Sequence, residues 1–293
     1  MVMIPAAFDY HRAGTVAEAL QLLERHGDGA KILAGGQSLL PLLKLRLGTV
    51  TDLVDIGGIA ELEYIKEEGG FLRLGAGTRE AALERSELIR DKYPILLDTA
   101  LVIADPLVRN RATVGGNLAH ADPANDHPAT MLALGAAVVA RGRSGERTIP
   151  IEQFFTGIFS TALAPGEILT EIRIPIPPPG SGGAYVKLER KVGDFATAAV
   201  AAQVTLARNG TVDRAGIGLT DAGPIPLKAA EAERHLQGKK PDDTVLAEAA
   251  RLAAEATDPT ADRRGSVEYK REMARVLTGR ALRKAIRRAE GRA

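Results

Sequence analysis

Two pairs of adjacent glycines are the part of this sequence best suited to binding a phosphate ligand. Gly35-Gly36 follows an apolar strand pattern at 30–34, and Gly115-Gly116 follows a short Thr-Val element at 113–114. Glycines let backbone N–H groups approach an anion because no Cβ atom stands in the way. Each pair alone also fits a tight turn. Taken together, they predict a ligand with two phosphate groups, held from both sides by backbone N–H groups and by the hydroxyls of Ser38 and Thr113.

Polar side chains that could contact such a ligand follow the second glycine pair: Asn117, His120, Asp122, Asn125 and Asp126. Asp126 could accept hydrogen bonds from a cofactor. The alternative is that it caps a helix that begins before Pro128. Asp122 and Asn125 fit loop structure and ligand contact equally well.

The histidines of this segment do not form a metal-site pattern. Neither His120 nor His127 has a ligand-type partner three or four residues away on a helix, and Pro123 interrupts the segment. We therefore predict no metal ion. We also find no acid–base pair that the sequence places beside a cofactor, and so predict no catalytic residue.

Composition narrows the class of protein. The chain has 293 residues, with 38 basic and 37 acidic side chains and a formal net charge of +1. This balance gives no electrostatic reason to expect nucleic acid or an anionic membrane as a partner. Residues 1–10 lack the pattern of a signal peptide, and no apolar run is long enough to span a membrane. The expected location is the cytoplasm.

The absence of cysteine bears directly on redox chemistry. With no cysteine in the sequence, disulfides, thiolate catalysis and cysteine-ligated zinc or iron–sulfur clusters are excluded within this chain. Any redox chemistry must therefore depend on an organic cofactor.

The N-terminal part of the chain has the pattern of a β-α-β unit. Residues 15–18 read as a capping box for a helix that ends near Gly27. A strand at 30–34, a mostly buried helix at 39–45 that is capped by Ser38, and a strand at 51–56 follow. Residues 75–78 are similar to the start of a dinucleotide-binding fingerprint, but Glu80 stands where that motif has its third glycine. We therefore interpret this segment as a turn, with Thr78 capping a helix at 79–86.

The rest of the chain alternates strands and helices around one linker. A hairpin is predicted at 64–74, helices at 94–104 and 128–134, and strands at 136–141, 147–151 and 168–174. The Pro- and Gly-rich stretch 175–183 marks a domain boundary. Beyond it, Asn209-Gly210 predicts a hairpin between strands at 198–207 and 211–219. Helices follow from about 227, ending in a basic run that fits a solvated helix end or contact with an acidic partner.

These motifs resemble the FAD-binding subunit of the molybdenum hydroxylases, as in the medium chain of aerobic carbon monoxide dehydrogenase and the flavin domain of xanthine dehydrogenase. The resemblance rests on residues 34–38 and 113–117, supported by 8–10, 103–106, 122–126 and 187–196. It covers nearly the whole chain. It implies an α+β protein: a p-cresol-methylhydroxylase-type FAD-binding fold of two α/β subdomains, 1–58 and 59–177, and a C-terminal domain of antiparallel sheet and helices at 178–293.

The resemblance also implies which residues contact FAD. They are Ala34, Gly35, Gly36, Gln37, Ser38, Thr113, Val114, Gly115, Gly116 and Asn117 at the pyrophosphate, with Ile103, Asp126, Ile168 or Leu169, and Lys187 elsewhere on the cofactor. Ile103 falls where xanthine enzymes carry an aromatic contact, so that stacking interaction is absent. Tyr185 precedes Lys187 by two residues on a predicted strand, so both side chains should face one side.

The function implied is that of an electron-transfer flavoprotein with non-covalent FAD. A partner carrying the molybdenum cofactor would oxidise the substrate, and an iron–sulfur subunit would pass electrons to this chain, in a heterotrimer or its dimer. Some members carry an extra cysteine-ligated cluster, which this chain cannot hold. Two alternatives stay open: a self-contained flavin oxidase or reductase of the same fold, and a scaffold that has lost its cofactor.

Overall fold

The first structural unit is a small parallel sheet with one helix packed on it. The computed structural model describes residues 4–292. In it, strands β1 (Asp9–Arg12), β2 (Ala30–Leu33) and β3 (Asp52–Asp55) form a parallel sheet in the order β1-β3-β2. Helices α1 (Val16–His26) and α2 (Leu39–Lys44) connect them. The predicted β-α-β unit is confirmed, and β1 is added to it.

The two helices of this unit differ in how far they follow the prediction. Thr15 caps α1 by accepting a hydrogen bond from the Glu18 N–H at 3.1 Å, as predicted. The predictions for α2 were wrong: Ser38 makes no side-chain cap, and only Leu43 is buried. Leu45 is 50% exposed. A six-residue helix turns only part of its surface toward the core, so a run of leucines did not indicate burial here.

The second unit is built on an antiparallel sheet of five strands in the order β4-β5-β10-β6-β7. The strands between 65 and 175 are β4 (Ile65–Glu68), β5 (Phe71–Gly75), β6 (Ala137–Gly142), β7 (Gly145–Pro150), the short pair β8 (Phe155–Gly157) and β9 (Ser160–Thr161), and β10 (Ile168–Pro175). Within residues 4–292, strands β8 and β9 pair only with each other. The predicted hairpin at 64–74 is confirmed by the pairing of β4 with β5.

Six helices of this unit precede the strand β6 or connect to it. They are α3 (Glu80–Arg85), α4 (Glu87–Lys92), α5 (Pro94–Leu101), α6 (Pro106–Arg109), α7 (Val114–His120) and α8 (Asp126–Leu134). The prediction that Thr78 caps α3 was wrong. The Thr78 hydroxyl instead exchanges hydrogen bonds with the Tyr64 backbone. The second glycine pair does not follow a strand but lies in the first turn of α7, which Thr113 caps.

The third unit is an antiparallel sheet covered by helices on one side. Strands β11 (Ser181–Leu188), β12 (Ala198–Leu206), β13 (Val212–Thr220) and β14 (Leu227–Lys228) pair in that order. Helices α9 (Ala230–Leu236), α10 (Asp243–Glu255) and α11 (Val267–Ala289) complete the unit and share its apolar core. The predicted hairpin at Asn209-Gly210 is confirmed. The linker is shorter than predicted, because 181–183 belong to β11.

Glycines in the third sheet let helices α8 and α11 come close to it. A Cβ atom at Gly216 or Gly218 would lie 2.0 Å from a backbone oxygen of α8. A Cβ atom at Gly182 would lie 2.2 Å from the Ala285 oxygen of α11. These separations are far below van der Waals contact, so the packing requires glycine. Helix α8 therefore lies directly on β13, with its N-terminal end beside β11.

The basic C-terminal run has an acidic partner inside the chain. The Arg288 guanidinium donates to both Asp98 oxygens, at 2.6 and 3.0 Å, and Lys284 Nζ lies 3.0 Å from Asp98. Asp98 belongs to α5, so these ion pairs join α11 to the second unit. Among the residues described, no helix is both long and apolar enough to cross a membrane.

Candidate functional site

A deep cleft of about 2060 Å³ opens where the three units meet. Its lining comes from the β2–α2 loop, from the N-terminal ends of α7 and α8, and from the C-terminal unit at Lys187 and residues 193–195. Ligand sites for small molecules usually measure roughly 300–1,000 Å³. The cleft is therefore large enough for an extended cofactor.

The loop between β2 and α2 offers a row of unused hydrogen-bond donors. The backbone N–H groups of residues 35–38 donate to no acceptor within residues 4–292. Gly36 has φ of +75°, a conformation that favours glycine. A Cβ atom at Gly35 would lie 2.1 Å from the Arg111 backbone oxygen, so glycine also lets the two loops of the cleft approach each other. Successive free N–H groups of this kind form an anion-binding concavity.

The second glycine pair does not provide such donors, contrary to the prediction from the sequence. The N–H groups of residues 114–117 are already bound within the protein, to Thr78 O, Ala76 O, Thr113 Oγ1 and Thr113 O respectively. A Cβ atom at Gly115 would lie 2.5 Å from the Ala76 Cβ. Gly115 is therefore required for packing of α7 against the β5–α3 connection rather than for approach of a ligand.

At α7 and its N-cap, side chains rather than backbone N–H groups are available to hydrogen-bond a ligand. Thr113 and Asn117 both line the cleft. The Thr113 oxygen accepts the Gly116 N–H at 3.1 Å, which leaves the hydroxyl hydrogen available to a ligand. Asn117 Oδ1 is buried with no partner among the described residues. A buried acceptor without a donor is costly, so a ligand with a hydrogen-bond donor would stabilise this wall of the cleft.

Asp126 lies near Asn117 in the lining, because the side chain of the preceding Asn125 donates a hydrogen bond of 2.8 Å to the Asn117 backbone oxygen. The Asp126 carboxylate accepts a hydrogen bond from the Tyr185 hydroxyl at 2.6 Å and one from Lys187 Nζ at 3.0 Å. Lys187 also donates to the Val102 backbone oxygen at 3.0 Å, and Tyr185 lies 3.2 Å from the Thr220 hydroxyl. The prediction that Tyr185 and Lys187 face one side is confirmed. Asp126 does not cap α8, because it is the first residue inside that helix.

Burial controls the protonation of this group of side chains. It raises the pKa of the Asp126 carboxyl, and the Lys187 ammonium and the Tyr185 hydroxyl oppose that rise. Burial and the adjacent Asp126 charge raise the pKa of Tyr185 well above its ordinary value, so Tyr185 is a hydroxyl donor at neutral pH. Burial also lowers the pKa of His120, which lines the cleft with its ring 5.1 Å from the Phe159 ring.

Most of the residues proposed from the resemblance lie in the wall of this one cleft. Those that line it are Ala34, Gly35, Gly36, Gln37, Ser38, Ile103, Thr113, Gly116, Asn117, Asp126 and Lys187. Those that do not are Val114, Gly115, Ile168 and Leu169. Ile168 and Leu169 are buried in two separate apolar cores at the start of β10. Contact of these four residues with a cofactor stays a prediction.

Several parts of the lining were missed by the sequence analysis. They are residues 141–145, Phe159, 163–167 and 193–195. Gly193 has φ of +80°, and a Cβ atom there would lie 2.6 Å from the Ala104 backbone oxygen. The segments around 103–106 and 187–196 therefore pack directly against each other in the lining of the cleft. The Gly-Asp pair at 193–194 was the one sequence signal for this part of the lining. It did not identify the site, because the same pair is typical of an ordinary turn.

His127 lies outside the cleft and has no solvent exposure. Its Nε2 is 2.7 Å from the Glu80 carboxylate, and both side chains are fully buried. Arg190 and Asp194 form an ion pair with a separation of 3.0 Å. Arg264 joins it by a contact of 3.1 Å to Asp194.

The cleft fits a cofactor that combines an anionic centre with hydrogen-bonding groups at a distance from it. The free N–H groups of 35–38 suit a phosphate, and Asn117 and Asp126 offer acceptors elsewhere in the lining. Residues 6–177 match the family described as FAD binding domain in molybdopterin dehydrogenase. Residues 183–285 match the CO dehydrogenase flavoprotein C-terminal domain. The chain belongs to the family of FAD-binding subunits of molybdenum hydroxylases, which are subunits of oxidoreductases. The predicted fold class is confirmed.

Individual relatives are similar along their whole length. The chain is 46% identical to the carbon monoxide dehydrogenase medium chain of Afipia carboxidovorans, with 99% of each chain covered. It is 40% identical to subunit alpha of the 6-hydroxypseudooxynicotine dehydrogenase complex of Paenarthrobacter nicotinovorans, covering 98% of this chain and 97% of that one. A crystal structure of a Cu,Mo-CO dehydrogenase superposes with a TM-score of 0.95 at 45% identity, covering 99% of this chain and 100% of that one.

Proposed function

We propose that this chain holds FAD non-covalently in the cleft and relays electrons from iron–sulfur clusters of a partner subunit to an external acceptor. The observation that carries the proposal is one cleft lined both by the free N–H groups of 35–38 and by the buried Asp126–Lys187 pair. The absence of cysteine, which excludes a thioether link to the flavin, favours non-covalent binding. Bound FAD supplies a carrier that can accept two electrons and release them singly.

The residues of the cleft have distinct roles in this proposal. The loop 34–38 holds the pyrophosphate through its backbone N–H groups, and Thr113 adds a hydroxyl donor. Asn117 and Asp126 accept hydrogen bonds from the cofactor, and Lys187 and Tyr185 hold the Asp126 carboxylate in place. Ile103 contributes an apolar contact. The three domains 1–58, 59–177 and 178–293 would each provide one wall of the cleft.

The substrate of the complex would bind another chain. Relatives that share this length and fold are named for different reactions, on carbon monoxide in one case and 6-hydroxypseudooxynicotine in another. A shared subunit with different substrates supports a common role in electron transfer. We therefore propose a molybdopterin-containing large subunit and an iron–sulfur small subunit as partners, in a heterotrimer or its dimer, in the cytoplasm.

A self-contained flavin oxidase or reductase is the alternative, and one experiment separates the two. The purified chain, free of molybdenum and iron, is loaded with FAD and mixed anaerobically with carbon monoxide, xanthine or an aldehyde. The proposal expects dithionite to bleach the flavin absorbance and these substrates to leave it unchanged. Bleaching by any of them would refute the relay and establish the self-contained enzyme. Failure of the chain to bind FAD at all would refute both.

A further inference from the structure

Two histidines and an aspartate converge outside the cleft, beside the parallel sheet and the C-terminal end of α1. His11 lies on β1, His26 is the last residue of α1, and Asp52 begins β3. A nitrogen of each imidazole lies 2.8 Å from the same carboxylate oxygen, Asp52 Oδ1. The ligand atoms of all three residues lie within 4.8 Å of one another. This set is independent of the proposed FAD-binding residues.

We propose that His11, His26 and Asp52 bind one divalent first-row transition-metal ion. Two imidazoles and one carboxylate are a recurring ligand set for such ions, with the remaining positions open to water. The prediction that no metal ion binds rested on His120 and His127 alone. His11, His26 and Asp52 are too far apart in the sequence to form a recognisable motif.

The spacing of the ligand atoms fits neighbouring positions around an ion. With metal–ligand distances of about 2.0–2.1 Å, two ligands at a right angle are about 2.9 Å apart, and two at a tetrahedral angle are about 3.4 Å apart. The observed nitrogen–oxygen separation of 2.8 Å, which is also the length of the hydrogen bond between His11 and Asp52, is close to the shorter of these two values. Ni²⁺ and Co²⁺, which imidazole and carboxylate ligands can both bind, are therefore suitable probe ions.

The surroundings also suit a cation that arrives from solvent. The side chains of His11, His26 and Asp52 are 26%, 21% and 11% exposed, so the site is accessible but partly shielded. Thr51 donates a hydrogen bond of 2.7 Å to the other Asp52 oxygen and orients the carboxylate. His26 lies at the C-terminal end of α1, where the helix dipole favours positive charge. Gly27, the residue after His26, lines the cleft, so the ion would lie next to the proposed FAD site.

The test is metal binding by the full chain without a polyhistidine tag, after treatment with a chelator. Titration with Ni²⁺ and Co²⁺ should show one ion per chain. The variants His11→Gln, His26→Gln and Asp52→Asn should each weaken binding by more than about 100-fold, and Thr51→Val by about 10-fold. His235→Gln, which changes a histidine on α9, is the matched control and should bind as the wild type does.

A second measurement does not depend on the folding of any variant. X-ray absorption of the Ni²⁺-loaded wild-type chain should show two imidazole ligands and oxygen ligands in a six-coordinate shell. Absence of a stoichiometric site, retention of binding in the three ligand variants, or loss of it in His235→Gln would overturn the proposal. A shell without imidazole would overturn it as well.

Discussion

Replacement of Lys187 by methionine should destabilise the chain in a pH-dependent way. Only 2% of the Lys187 side chain and 8% of the Asp126 side chain are exposed. Methionine keeps much of the volume but leaves the Asp126 carboxylate buried without its cation, and removes the hydrogen bond to Val102. Breaking a buried pair on one side costs about 3–5 kcal/mol. For a chain of this size the expected fall in Tm is about 6–20 °C.

The sign of the pH dependence follows from the direction of the Asp126 shift. Burial already raises the pKa of Asp126 with Lys187 present, and loss of the ammonium should raise it further. Between the unfolded and the folded pKa, the folded chain holds a proton that the unfolded chain has lost, so stability falls as pH rises. The difference in Tm between wild type and Lys187→Met should therefore be larger at about pH 8 than at about pH 5.

The assay is thermal unfolding followed by circular dichroism, at both pH values and with and without added FAD. The double variant Asp126→Asn/Lys187→Met removes both charges and should recover most of the lost stability, because Tyr185 can still donate to the amide oxygen. Lys191→Met, the same substitution at an exposed lysine, is the control and should leave Tm nearly unchanged. A fall of less than about 2 °C for Lys187→Met would refute a coupled buried pair. An equal fall at both pH values would refute the role of the Asp126 charge.

Three further outcomes are expected at the cofactor site. Gly36→Asp should bind FAD about a thousand-fold more weakly than Gly36→Asn, because the added carboxylate repels the pyrophosphate. Two unit charges at 4 Å and an effective dielectric of about 20 repel each other by about 4 kcal/mol. Equal Kd values for the two variants would place the pyrophosphate elsewhere. Gly115→Ala should lower Tm through its contact with Ala76, at a cost of about 1–3 kcal/mol, and an unchanged Tm would contradict the packing role. Acid precipitation of the loaded chain should release a yellow supernatant that chromatographs as FAD, and colour retained in the pellet would show a covalent link.

The parallel unit could be predicted because its signals are local. Residues 15–18 cap a helix by contacts within four positions, and strands such as β2 and β3 show apolar runs bounded by turn residues. The same local reasoning was wrong for α2, whose leucines suggested burial. How much of a helix is covered depends on what packs against it, and α2 lies at the edge of the cleft, where the covering surface ends.

The two glycine pairs show the limit of motif reasoning most clearly. Both have the same sequence character, yet only residues 35–38 keep their N–H groups free, whereas Gly115 is fixed by its distance to Ala76, 39 positions away in the chain. A glycine required by a ligand and a glycine required by a neighbouring backbone are identical in one sequence. They differ only in whether the N–H group has an acceptor in the fold. The resemblance identified the segments, and the hydrogen bonds of the folded chain show which of them keeps free backbone donors.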